Sequence, residues 1–100
     1  MGWATTHIGK LQQGETVKFR PKGNSMTGLV NSGDLVTVVP RNDRHPAKGD
    51  IVLCKVMGNQ YLHLVKAVDG NRVQIGNNRG GVNGWTSLAQ IYGYCTDVEK

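Results

Sequence analysis

The sequence predicts an all-β fold of mostly antiparallel strands, with short helical turns at most. Polar and apolar residues alternate over short runs, which is the period of a half-buried strand. Turn-forming clusters of Gly, Asn, Asp and Pro separate these runs, and glycine supplies 14 of the 100 residues. Hydrophobic residues make up 38% and aromatic residues only 6%, so the chain can build one modest core. We therefore expect a single domain spanning residues 1–100.

The first third of the chain leads into a glycine-flanked bend. Residues 1–10 show no clear period and are expected to be a loose segment at a sheet edge. Thr16–Arg20 alternates polar and apolar residues and is predicted to be a half-buried strand. A bend follows at 21–25, and Met26–Asn31 is predicted to form a short helical turn, since Gly28 disfavours a longer helix.

The remaining chain is predicted to consist of strands joined by tight turns. The β-branched run Leu35–Val39 is the clearest strand, and the polar loop after it contains His45, which we expect to be solvated. Further strands are predicted at Ile51–Met57, Tyr61–Val68 and Arg72–Ile75, with hairpin turns at Gly58-Asn59 and Asp69–Asn71. A glycine–asparagine loop at 76–84 and a final apolar segment, strand-like at Ile91–Cys95, complete the pattern.

The bend carries a serine in the sequence Gly23-Asn24-Ser25-Met26. A serine held on a glycine-flanked bend can direct its hydroxyl and a backbone N–H toward the same point. A nucleophile with an oxyanion hole requires that geometry. A plain surface loop has the same shape, so the bend by itself leaves both interpretations open.

The order of residues around this serine resembles the signal peptidase and LexA-type repressor superfamily of serine peptidases. Gly-x-Ser-Met is followed by Gly33-Asp34 and a strand, and Gly49-Asp50 before the next strand resembles the following family block. The resemblance extends from about Lys18 to Val98. It implies a LexA/signal-peptidase-like catalytic core with Ser25 as nucleophile, and with Gly23, Asn24 and Met26 forming the nucleophile loop and its oxyanion hole.

The resemblance also implies how a substrate binds. In the family, the strand before the nucleophile pairs with an extended peptide, which adds a strand to the sheet. Here Phe19, Arg20 and Pro21 would take that role. Signal peptidases accept small residues before the cut, so we expect cleavage after Ala, Gly or Ser.

Two residues of one predicted strand are candidates for the general base. Most members of the superfamily use a lysine, whereas some signal peptidases carry a histidine in a Val-His-Arg-Val motif, which Leu62-His63-Leu64-Val65 resembles. Histidine titrates near neutral pH, whereas lysine must be strongly perturbed before it can accept a proton. Strand alternation puts His63 and Lys66 on opposite faces, so only one can face the cleft. We expect His63 to be the base, with Lys66 as the alternative.

The sequence departs from the family where a carboxylate would support the base. Gly76-Asn77-Asn78-Arg79 resembles the signal peptidase block Gly-Asp-Asn-Arg, but the aspartate is replaced by Asn77. A second aspartate has no clear counterpart in the region that contains Asn83, Gly84, Thr86 and Ser87. A carboxylate would hold the histidine tautomer and stabilise the imidazolium. A catalytically inactive peptide-binding module of the same fold is therefore the alternative function.

The composition and the N-terminal sequence limit the cellular compartments and the binding partners that we expect. No apolar run reaches membrane-spanning length, and the N-terminus has no signal-peptide pattern. Cys54 and Cys95 lack metal-ligand spacing and are expected to be reduced thiols, so we expect a cytoplasmic protein with no metal or cofactor. A net charge of +5 permits a third interpretation, a basic β-barrel that binds nucleic acid, but the basic residues are scattered.

The expected partner is therefore an extended peptide or protein substrate. The chain contains neither an Ala-Gly nor a Cys-Gly dipeptide, the bonds at which LexA-type members cleave themselves. We expect it to act on another chain, or to be a fragment or a stand-alone relative, encoded by a phage or mobile element.

Overall fold

The computed structural model describes residues 2–23 and 26–100 and contains one α-helix and seven β-strands. The helix α1 spans Thr5–Gln12. The strands are β1 Val17–Phe19, β2 Leu35–Pro40, β3 Ile51–Val56, β4 Asn59–Asp69, β5 Arg72–Gly76, β6 Val82–Ser87 and β7 Ile91–Glu99, with a short 3-10 turn at Leu88–Gln90 before β7.

The seven strands form one sheet in the order β1-β2-β7-β3-β4-β5-β6, and each neighbouring pair is antiparallel. This confirms the predicted all-β, mostly antiparallel class. The strands predicted at 16–20, 35–39, 51–57, 61–68 and 72–75 are all present, with ends shifted by a few residues.

Two groups of buried side chains form the core, and the central strand β3 contributes to both. Leu53 is fully buried in the first group with Val36 and Val38, whereas Val52 is fully buried in the second group with Val65. Successive residues of a strand point to opposite faces, so a strand buried on both sides has a continuous apolar run. This explains why the sequence of β3 does not alternate.

The N-terminal segment corrects the prediction of a loose edge segment over residues 1–10. Thr5–Gln12 is an α-helix whose buried residues Ile8 and Leu11 join Ala4 in the first core group. These three residues follow the spacing of one helix face. The stripe is too short to dominate the pattern, and Thr5, Thr6 and Gly9 have low helix propensity. Packing against the sheet therefore decides the conformation.

The predicted 76–84 loop is shorter than expected, because Val82–Ser87 forms the edge strand β6. Glycines at Gly80, Gly81 and Gly84 made this segment resemble a loop. The β5–β6 ladder pairs Ile75 with Gly84 and then Gly76 with Val82, so the extra residue of a β-bulge is Asn83. The β4–β5 ladder has a second bulge, where Val65 and Ala67 are paired and Lys66 is the extra residue.

The β3–β4 hairpin turns at Met57-Gly58, one residue earlier than predicted. Val56 pairs with Asn59, and the two intervening residues have φ of 51° and 82°. Positive φ at both positions is typical of the type I′ turn that matches strand twist. In the portion of the chain that the structure describes, no helix is long and apolar enough to cross a membrane.

Candidate active-site cleft

Both Gly-Asp pairs singled out in the sequence form the same kind of turn. The N–H of Asp34 donates to the Asn31 carbonyl at 3.0 Å, and the Asp34 carboxylate accepts the N–H of Asn31 at 2.9 Å. Asp50 makes the equivalent pair of bonds with Ala47, at 3.0 and 2.9 Å. The preceding glycines have φ of 89° and 98°, a conformation that favours glycine. The two Gly-Asp turns therefore position the first residues of β2 and β3, and their role is structural rather than catalytic.

The first of these turns closes the base of the loop that carries Ser25. The N–H of Gly33 donates to the Pro21 carbonyl at 3.0 Å, and the Arg20 guanidinium donates to the Gly33 carbonyl at 2.7 Å. The hydrogen bond from the Asn31 N–H lowers the pKa of Asp34, and the Lys100 ammonium, 3.2 Å from the carboxylate, lowers it further. The loop between β1 and β2 is thus tied at both ends.

The predicted helical turn begins directly after Ser25. The N–H groups of Leu29 and Val30 both donate to the Met26 carbonyl, at 3.0 and 2.8 Å, which confirms the turn. The Met26 side chain is buried in the first core group. Gly23, on the other side, has φ of 114° and donates its N–H to the Ser32 hydroxyl at 3.4 Å. Asn24 and Ser25 themselves lie outside the described residues.

A cleft of about 800 Å³ opens between this loop and the start of β4. All three predicted substrate-binding residues, Phe19, Arg20 and Pro21, line it, as do Gly23, Met26 and His63. The other lining residues come from the N-terminus, the loop and β4: Trp3, His7, Lys22, Val30, Asn31, Gln60, Tyr61 and Leu62. The sequence-predicted loop, substrate strand and histidine are therefore brought to one cleft.

Two strand edges border the cleft. Strand β1 is the outermost strand of the sheet, and its ladder pairs it with β2. The β4–β5 ladder begins at Leu64, so among the described strands the segment 59–63 pairs with β3 alone. A strand edge that has no neighbouring strand can accept an additional extended strand.

His63 makes a short polar contact with Asn83. Its Nδ1 lies 2.6 Å from the Asn83 Oδ1. Because an amide oxygen only accepts, Nδ1 carries the proton and donates, which puts the lone pair of the neutral ring on Nε2. Asn83 is the bulge residue of β6, and bulges commonly redirect a side chain. No local pattern predicts this contact beyond the position of Asn83 in the family's second aspartate region.

The surroundings of His63 favour a neutral imidazole. The residue is 8% exposed, and burial lowers its pKa, opposed only in part by the hydrogen bond to Asn83. The Tyr61 ring packs against the imidazole with centroids 4.9 Å apart. A neutral imidazole with its basic nitrogen at Nε2 has the protonation state that a general base needs at neutral pH.

Lys66, the alternative base, has a different environment. Its Nζ donates to the Asn77 carbonyl at 2.9 Å, and it does not line the cleft. The alternation argument that separated Lys66 from His63 assumed a regular strand, but Lys66 is the extra residue of the β4 bulge. Its orientation therefore follows from the bulge and the Asn77 bond rather than from strand parity.

The two asparagines of the Gly76–Arg79 block organise loops. The Asn77 side-chain oxygen accepts the N–H groups of Arg79 and Gly81, both at 2.9 Å. The Asn78 amide donates to the Thr27 carbonyl at 2.9 Å, which links this loop to the turn after Ser25. Asn77 therefore replaces the family's aspartate with a loop-forming side chain, and the histidine contact belongs to Asn83.

Residues outside the cleft have structural contacts. His45 is exposed in its loop. Arg44 bonds to Asp50 at 3.1 Å and lies 4.0 Å from the Tyr94 ring centroid, and Arg41 donates to the Ile91 carbonyl, so the basic loop supports the fold.

Both cysteines are free thiols. Cys54 is buried, and burial raises its pKa to about 12, whereas Cys95 is half-buried. Among residues 2–23 and 26–100, no group of three or more His, Cys, Asp or Glu side chains could hold a metal.

Comparison with known proteins agrees with this architecture. None of the curated proteins that were searched matches the chain. A family model described as Peptidase S24-like matches residues 5–78, from the helix α1 through the strand that bears His63 to Asn78. The chain therefore belongs to the Peptidase S24-like family, within the LexA and signal peptidase superfamily.

Proposed function

We propose that the protein is a serine endopeptidase in which Ser25 is the nucleophile, His63 the general base, and Asn83 the residue that holds the base in its reactive tautomer. The observation that supports this most strongly is the 2.6 Å bond from His63 Nδ1 to Asn83 within the cleft. Family membership supports peptidase chemistry, and the flanking residues Gly23 and Met26 line the same cleft as His63.

The proposed reaction follows from these roles. Nε2 of His63 accepts the Ser25 hydroxyl proton as Oγ bonds to the scissile carbonyl carbon. The tetrahedral intermediate collapses with cleavage of the C–N bond, and the imidazolium returns the proton to the leaving amine. A water molecule, deprotonated by the same nitrogen, then hydrolyses the acyl-enzyme and regenerates Ser25. Backbone N–H groups of the loop would stabilise the oxyanion.

Asn83 supplies part of what an aspartate supplies in a triad. Its amide oxygen fixes the ring orientation and the Nδ1–H tautomer. It carries no negative charge, so it stabilises the imidazolium less than a carboxylate would. We therefore expect turnover that is slower than that of a complete triad.

Substrate binding would use the two strand edges of the cleft. An extended peptide can hydrogen-bond to the backbone of β1 beside Phe19 and to the start of β4 after Gln60, whose own carbonyl already accepts the Trp3 indole N–H. Backbone pairing tolerates many sequences, so side-chain pockets must provide selectivity. A small residue immediately before the cut remains our prediction for the position next to Ser25.

Digestion of an unbiased peptide library, read by mass spectrometry, tests this proposal. We expect the wild-type protein to cleave after Ala, Gly or Ser, and Ser25→Ala to produce no new termini while still binding peptides. Equal cleavage by Ser25→Ala would refute the nucleophile. Peptide binding by the wild type without any cleavage would favour the non-catalytic binding module, for which the asparagines at 77 and 83 provide a rationale.

A further inference from the structure

The N-terminal helix contributes an aromatic wall to the cleft that the peptidase chemistry does not use. Trp3, His7 and Phe19 all line the cleft. The Phe19 ring stacks on the His7 ring with centroids 4.4 Å apart and contacts the Trp3 ring at 5.6 Å. We call these three residues the aromatic wall. Phe19 belongs to the edge strand β1, whereas Trp3 and His7 belong to the N-terminal segment that was predicted to be loose.

Hydrogen bonds hold this wall against β4. The Trp3 indole N–H donates to the Gln60 carbonyl at 3.3 Å, and the Ala4 N–H donates to the Gln60 side-chain oxygen at 2.7 Å. The Gln60 amide in turn donates to the Thr5 hydroxyl at 3.0 Å. The segment before α1 is therefore fastened across the cleft to the strand that carries His63.

The wall offers an apolar surface. The polar end of the Trp3 ring is already bonded to Gln60, yet 52% of the residue is exposed. Burial and the nearby Lys10 lower the pKa of His7, so its ring is neutral at neutral pH. Buried Met26, Val30 and Leu62 extend the apolar lining of the same cleft. An exposed aromatic surface with an apolar floor is what a large apolar side chain requires.

Charge in the cleft excludes a basic side chain as the preferred occupant. The described residues that line it include the cations Arg20 and Lys22 and no carboxylate. A lysine or arginine of the substrate would therefore meet aromatic faces without an acidic partner and with like charge nearby. The chemistry favours a neutral aromatic or large aliphatic group.

We infer that the aromatic wall is a specificity subsite that binds an aromatic or large aliphatic side chain of the peptide that occupies the cleft. The inference rests on the proposed function for the class of ligand, because an extended peptide is the substrate proposed there. It adds a second selectivity determinant to the small residue expected next to the cut. The substrate is then an extended segment that carries a large apolar residue in addition to the small residue before the cut.

The test measures binding, so it does not depend on catalysis. A positional-scanning peptide set, carrying Phe, Leu, Ala or Lys at each position, is bound to the Ser25→Ala protein. We expect Phe and Leu to bind roughly 10-fold or more tightly than Ala at one position, and Lys to show no such gain. Trp3→Ala and His7→Ala, each introduced into Ser25→Ala, should remove that preference.

Matched variants separate the subsite from a folding defect. Trp85→Ala, which removes another exposed tryptophan, should retain the preference. Trp3→Phe keeps an aromatic ring in the wall and should retain most of the preference for Phe and Leu. Circular dichroism and thermal unfolding check that each variant is folded.

Equal binding of Phe and Ala peptides at every position, or an unchanged preference in folded Trp3→Ala and His7→Ala, would overturn the inference. A Trp3-dependent preference in a protein that never cleaves would leave the subsite standing and refute the peptidase. Cleavage by a protein that shows no preference for Phe or Leu would refute the subsite and leave the peptidase standing.

Discussion

Asn83 lies in the region where the superfamily's second aspartate has no clear counterpart in this sequence, and its side chain contacts His63. The local motif made His63 a candidate and the structure places it in the cleft, whereas the contact from Asn83 depends on a β-bulge that no local pattern in 82–87 reveals. At this scale the presence of a histidine in the cleft was predictable from residue chemistry. Its partner was not, because the contact joins strands separated by 20 positions in sequence.

The first prediction concerns this pair. Activity should persist below pH 6.5, because burial lowers the pKa of His63 and a general base must be unprotonated. Asn83→Asp places a negative charge beside the imidazolium, so it should raise the pKa of His63, move the acidic limb of kcat/KM to higher pH, and increase the plateau rate. Asn83→Leu should lower the plateau rate, since it leaves the tautomer unfixed.

The control for this measurement is the same asparagine-to-aspartate substitution at a different position. Asn71→Asp introduces a carboxylate in the exposed β4–β5 turn and should leave the pH profile of kcat/KM unchanged. An acidic limb that does not move in Asn83→Asp would contradict the assignment of Asn83 as the positioning residue.

The secondary-structure elements differ in how far the sequence determines them. Strands β2, β4 and β5 were predicted because their apolar runs end at recognisable turns. Strand β6 was not, because three glycines in 80–84 imitate a loop and pairing with β5 decides its conformation. The helix α1 was also missed, because its apolar stripe is short and packing against the sheet supplies its stability.

The second prediction tests whether α1 is an integral part of the domain. Leu11 is 3% exposed and packs in the first core group. Leu11→Ala should lower the free energy of unfolding by about 2–5 kcal/mol, the cost of removing a buried leucine side chain. The neighbouring Gln12→Ala, at an exposed position, should change it by less than about 0.5 kcal/mol. Urea denaturation of both variants measures the difference, and equal stabilities would mean that the helix is dispensable.

At the scale of the whole molecule, titration of the two cleft histidines couples stability to pH. Burial lowers the folded-state pKa of both His7 and His63 below 6.5. The unfolded chain therefore binds more protons once the pH falls below about 6.5, and the stability that these residues contribute is complete above that pH and lost as the pH falls through the folded-state values.

The third prediction follows from this linkage. The free energy of unfolding, measured by urea denaturation, should decrease from pH 8 to pH 5. The decrease should be smaller in a His7→Gln/His63→Gln variant, which cannot be protonated at either position. An identical pH dependence in the two proteins would show that these histidines do not carry the effect.

The whole-molecule arrangement shows which elements build the proposed active-site cleft. The edge strand β1 and the start of β4 are separated by β2, β7 and β3 in the sheet order, yet both line one cleft with the loop tied at Pro21 and Gly33. The segment before α1 connects them, because the Trp3 side chain contacts Phe19 and bonds to Gln60. The family match over residues 5–78 covers β1, this loop and the start of β4, whereas Asn83 lies beyond it. The residue that most distinguishes this site from a complete triad is therefore outside the matched segment.

The most direct test of the central claim is kcat/KM on a peptide that the wild-type protein cleaves, compared across Ser25→Ala, His63→Ala and Lys66→Ala. We predict that Ser25→Ala abolishes cleavage and that His63→Ala lowers kcat/KM by at least about 10²-fold, the usual contribution of a general base. Lys66→Ala should have little effect, because its ammonium is bonded to the Asn77 carbonyl outside the cleft. Loss of activity in Lys66→Ala with full activity in His63→Ala would contradict the account.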